Sequence, residues 1–117
     1  MDTKALSLEI YKALDDIKGH DIKILDVRAL TSISDYFVIA TGTSSKHTSS
    51  LAESVEEKLT AIGVEPSHKE GHRQGEWVLM DYLDVIVHIF TEETRSFYNL
   101  EKMWSDAKII EVSVDTY

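Results

Sequence analysis

The stretch "WVLMDYLDVIVHIFTEETRSFYNLEKMW" (77–104) decides how the chain folds. Its middle, "VIVHIF" (85–90), is apolar at nearly every position. Such a run predicts a strand at the centre of a sheet, covered on both faces. "WVLMDY" (77–82) reads as its antiparallel neighbour, joined by a tight turn near Leu83 and Asp84. "TEETRSFYNLEKMW" (91–104) then predicts a helix that breaks near Asn99. Thr91 can cap it, and Glu92 and Glu93 suit its positive N-terminal end. If the helix is continuous, Phe97, Leu100, Glu101 and Trp104 share one face, and Arg95, Tyr98 and Lys102 another. Phe97 and Leu100 read as core. The remaining large groups, with Trp77 and Leu79 from the strand, exceed what a small domain buries, and Trp and Tyr are common anchors of binding surfaces.

Upstream, residues 4–18 predict a helix with Leu6, Ile10, Ala13, Leu14 and Ile17 on one stripe. Thr3 is its expected N-cap and Gly19 its stop. "DIKILDV" (21–27) and "DYFVIATG" (35–42) read as strands. Ser44 or Ser45 can cap a second helix, striped by Leu51, Val55, Leu59 and Ile62 and ended by Gly63. "VEPSH" (64–68) reads as a short edge strand, because Pro66 cannot donate to a ladder. "KEGHRQGE" (69–76) reads as a polar loop. The order α-β-β-α-β-β-β-α points to one α/β domain over 1–117, a single mixed sheet of about five strands packed with helices. Residues 105–117 read as a tail that adds a loose strand or frays.

The chain carries 21 acidic residues against 12 Lys and Arg, a formal charge of −9. "KEGHRQG" (69–75) is its densest basic stretch, so phosphate binding is disfavoured and a basic partner, or none, is expected. With no cysteine there is no disulfide framework and no thiol chemistry. No basic-then-apolar start and no span-length apolar run are present, so the expectation is a soluble cytoplasmic protein without membrane contact.

Four sets of residues carry possible chemistry. His68 and His72, with His20 and His47, have weak metal spacing, and Gly71 interrupts the first pair; surface histidines explain them better. "GTSSKHTS" (42–49) places serines where a strand opens into a helix, but it lacks the P-loop lysine pattern and suits an ordinary cap. Asp35, Asp81 and Asp84 could hold magnesium, but Asp81 and Asp84 flank a turn and do not share a strand face. His88, alone in an apolar strand, reads as a hydrogen-bonded structural residue. A nucleotide-handling enzyme built on Ser44, Ser45 and Asp35 is the alternative these residues leave open.

The ordered motifs "SDYFVIATGTSSKH", "GEWVLMDYLDVIVHIF" and "RSFYNLEKMW" resemble the ribosomal silencing factor (Iojap-like) family, over about Leu6 to Trp104. The resemblance implies a nucleotidyltransferase-like fold without the catalytic acids. It implies no enzyme activity and no cofactor. Family members bind large-subunit ribosomal protein fourteen and sterically block the small subunit, repressing translation when nutrients are scarce; organelle relatives act in large-subunit assembly. Carried onto this chain, the implied surface is Trp77, Leu79 and Asp81 on the strand with Tyr98, Asn99, Leu100, Glu101 and Trp104 at the helical end. Asp84 and Glu101 are then expected to meet basic groups of the partner. Such a protein reads a basic ribosomal protein rather than RNA phosphates. Many relatives carry Gly where this chain has Leu83, which leaves the turn type open and sets a bulky group near the surface. The free protein is expected as a monomer or a homodimer that hides this face.

Overall fold

The structure is a computed structural model that describes residues 2–71 and 74–112. It is a mixed α+β fold around one six-stranded sheet. The elements run α1 (Thr3–Asp16), β1 (His20–Asp26), β2 (Tyr36–Gly42), α2 (Ser45–Ala61), β3 (His68–Glu70), β4 (Trp77–Asp81), β5 (Val85–Thr91), α3 (Glu92–Tyr98), α4 (Leu100–Met103) and β6 (Lys108–Ile110). The strand order is β3-β4-β5-β2-β1-β6. β2 and β5 are parallel, as their α2 crossover requires, and every other pair is antiparallel.

β2 is buried at all its positions and β5 nearly so, which bears out the central placement of the apolar run. One sheet face carries Val78, Met80, Val85, Val87, Ile89, Tyr36, Val38, Ala40 and Ile24. α1 and α2 close this face with Ile10, Leu14, Leu51, Val55 and Leu59, which are essentially inaccessible. Most of the apolar burial that drives folding lies in this layer. Ser44 caps α2 by accepting from His47 N at 3.1 Å, as its position suggested, and Gly63 ends the turn at φ 83.

Several boundaries differ from expectation. The strand count is six rather than about five, because the segment after 105 adds the short strand it offered: Lys108–Ile110 pairs with β1. The third strand is His68–Glu70 rather than 64–68: β4 offers Asp81, Met80 and Leu79 as partners to those residues, and Pro66 lies just before the ladder. It takes the first residues of the stretch read as a polar loop. The cap of α1 is Asp2, whose carboxylate accepts from Ala5 N at 2.7 Å, and not Thr3. That helix stops before Gly19, with Lys18 in the left-handed region at φ 61. Ile17 and Ile62, placed on the apolar stripes, fall at the two C-caps and are 39% and 50% exposed. The tail segment 113–117 and His72 lie outside the described residues.

Candidate docking face

Among the described residues no long helix lies over the second face of the sheet. Its composition follows from register, because paired residues share a face. On β4, Trp77 pairs with Phe90, Leu79 with His88 and Asp81 with Ile86. The rows continue into β2 as Phe90–Thr41, His88–Ile39 and Ile86–Phe37. On the outer side Glu70 pairs with Leu79 and His68 with Asp81. Among the described residues α3, α4 and the turn after them reach this face, laying Leu100, Trp104 and Ala107 against Leu25, Phe37, Ile39 and Phe90. Trp77, Leu79 and Ile86 are left half-buried.

The aromatic groups form a connected set. The Trp77 ring lies 5.1 Å from Phe90 and 4.7 Å from Tyr98, and Trp104 meets Phe37 edge-on at 5.0 Å. Trp77 Nε1 donates to His88 Nδ1 at 3.2 Å. Burial holds His88 well below its ordinary range, at about 4, so it is neutral at pH 7 and able to accept that bond. The structural reading of His88 therefore stands: it orients Trp77 from beneath.

The helix does break at Asn99, which takes φ 47 and ψ 57. Asparagine tolerates this conformation better than most residues. The break turns α4 back over the sheet, and a charged cluster locks it there. Arg95 is buried; its Nε donates to Glu101 Oε1 at 2.8 Å, and its Nη1 donates to Thr41 Oγ1 at 2.7 Å and the Asp21 carbonyl at 2.8 Å. Lys23 Nζ donates to Glu101 Oε2 at 2.7 Å. The Arg95 hydrogen bond, helped by Lys23, holds the Glu101 carboxyl well below the usual range, at about 2.

The residues singled out from sequence gather here, in different roles. Trp77, Leu79 and Tyr98 offer accessible apolar surface, with Tyr98 49% exposed. Leu100 and Trp104 are half-buried and mainly anchor α4. Asn99 is exposed and caps α4, its Oδ1 facing Lys102 N. Both Glu101 oxygens bond within the chain. Asp81 is half-buried and accepts from Leu83 N at 2.7 Å, while Asp84 is exposed at the turn. One expectation fails. Phe97, read as core, is 81% exposed. The inner side of α3 is Thr91, Thr94 and Arg95, which leaves Phe97 pointing away. Arg95, placed with Tyr98 and Lys102 on a second face, is the most buried residue of that helix. Sequence reading missed Ile86 and the exposed Met103; their places follow from the β4–β5 register and the short α4.

The remaining candidates are engaged elsewhere. Ser44 serves as a cap, and Asp35 Oδ2 accepts from Thr3 Oγ1 at 2.8 Å. His47 Nδ1 accepts from Thr43 N, and His68 lies 3.2 Å from Glu70. Among the described residues no three His, Asp or Glu side chains gather as metal ligands. Among them, too, no helix is long and apolar enough to cross a membrane.

Comparison with known proteins identifies the family. A family model described as "Ribosomal silencing factor during starvation" matches residues 1–116. A ribosomal silencing factor of Chromobacterium violaceum is 42% identical over 92% of this chain and 88% of its own. One of Bacillus subtilis is 35% identical over 96% and 95%. The chloroplastic protein Iojap of Zea mays is 34% identical, with this chain spanning 51% of it. A crystal structure of a Chromobacterium violaceum protein superposes with a TM-score of 0.88 at 39% identity, covering 99% of this chain and 98% of that one. The chain belongs to the family of ribosomal silencing factors.

Proposed function

We propose that this protein binds the large ribosomal subunit through large-subunit ribosomal protein fourteen and sterically blocks association with the small subunit, lowering translation when nutrients are scarce. The observation that carries the reading is the half-open second face of the sheet. Trp77, Leu79 and Tyr98 lie there accessible in a chain of net charge −9. An apolar surface with aromatic anchors favours a protein partner. The surplus of acid favours a basic protein and repels RNA phosphate.

In this reading the protein works by occupancy in the cytoplasm, without catalysis or cofactor. Its parts divide into contact and support. Trp77, Leu79, Tyr98 and Asp84 meet the partner; Leu100, Glu101 and Trp104 hold α4 so that Tyr98 stays beside Trp77. The test is calorimetry with isolated ribosomal protein fourteen. Trp77→Ala is expected to weaken binding by about 1–3 kcal/mol while the fold persists. Equal binding by the parent and the variant overturns this surface.

A further inference from the structure

β4 ends at Asp81, and the turn beyond it carries a leucine. Trp77, Leu79 and Asp81 alternate with the buried Val78, Met80 and Tyr82. Leu83 follows two residues after Asp81, in the turn outside the strand. Leu83 is 67% exposed and adopts φ 70. Both facts run against its chemistry. A Cβ-bearing residue in the left-handed region is strained, and an exposed leucine contributes little apolar burial to folding. Tyr82 N donates to Val85 O at 2.9 Å, closing a two-residue turn whose first central position alone has positive φ. Glycine makes that turn without strain.

The turn is also held from outside. Asp35 N and Ser34 Oγ donate to the Asp84 carbonyl at 2.7 and 2.9 Å, and Leu83 N is tied to Asp81. The strained leucine therefore sits on a fixed backbone. The loop that supplies Ser34 also carries Ile33, 75% exposed. Ile33 and Leu83 thus lie at the same end of the sheet, where β4 ends and β2 and β5 begin. Among the described residues neither carboxylate has an ion-pair partner.

We propose that Leu83, with Ile33 at the same end of the sheet, extends the docking face as a specificity contact, entering an apolar recess bordered by Lys or Arg on the partner protein. The inference rests on the docking function proposed above. Continuity supports it: Trp77, Leu79 and Asp81 share this face along β4, and Leu83 stands exposed two residues beyond Asp81, its N bound to that carboxylate. Charge supports it too, since Asp81 and Asp84 offer uncompensated negative charge next to the apolar tip. Folding alone supplies no reason to keep a leucine in this backbone conformation.

The test separates stability from binding. Leu83→Gly and Leu83→Asn both suit a positive φ and both remove the aliphatic group. Each is expected to keep or raise the thermal midpoint and to weaken binding of ribosomal protein fourteen roughly tenfold. Parent-like affinity in both variants, with Trp77→Ala still weakened, overturns the Leu83 contact alone. No binding by the parent chain overturns the contact together with the function it rests on.

Discussion

Glu101→Gln tests the cluster that positions the docking face. The substitution keeps the shape of the side chain and removes its charge. Glu101 accepts from Arg95 at 2.8 Å and from Lys23 at 2.7 Å, and these bonds lower its pKa from 4.5 to about 2. A displacement of that size corresponds to about 3 kcal/mol of stabilisation at pH 7. The side chain is 28% exposed, so solvent screening makes this an upper figure. Because the folded pKa lies below the unfolded one, the contribution is complete above about pH 4.5 and disappears as pH falls towards 2. At pH 3 less than half remains. Urea denaturation of parent and variant at pH 7 and pH 3 is the assay. The gap in unfolding free energy is expected to be about 2–3 kcal/mol at pH 7 and about 1 kcal/mol at pH 3. A gap below about 0.5 kcal/mol at pH 7, or one that does not shrink with acid, refutes the claim that Arg95, Lys23 and Glu101 hold α4 against the sheet.

Two further changes probe His88 and Phe97. His88 has a folded pKa near 4 against an ordinary 6.5, so the folded state resists its protonation. Stability is therefore lost as pH falls from 6.5 to 4, by up to about 3 kcal/mol, and His88→Gln is expected to flatten that part of a urea-denaturation pH profile. Phe97→Ser, at an 81% exposed position, is expected to shift unfolding by less than about 0.5 kcal/mol; a loss of several kcal/mol in the same denaturation assay restores the core reading.

The parts of the fold legible in sequence were those fixed by short-range chemistry. The continuous apolar run 85–90 announced a central strand, Ser44 announced a cap, and Asn99 sat where the helix broke. What escaped depended on distant partners. Arg95 looks like a solvent-facing cation until Asp21 and Thr41, on another strand pair, are brought beneath it. Its burial displaces Phe97 outward, because a seven-residue helix has room for only one inner stripe. β3 and β6, each three residues long, exist only through their neighbours' ladders and carry little pattern of their own. Leu83 was recognised as unusual from sequence, and the left-handed backbone supplied the physical meaning. The candidate face was found because Trp77 and Tyr98 are the bulky groups that a small core does not absorb. Which of its members are tied within the chain, as Glu101 is to Arg95 and Lys23, depends on hydrogen bonds between distant residues.

Gradient sedimentation tests the central claim most directly. Purified protein is mixed with isolated large subunits, and small subunits are added afterwards. The account predicts that the protein travels with the large subunit and lowers the joined-ribosome peak, and that Trp77→Ala restores that peak. Protein that remains at the top of the gradient, or that binds large subunits while joining proceeds unchanged, contradicts it.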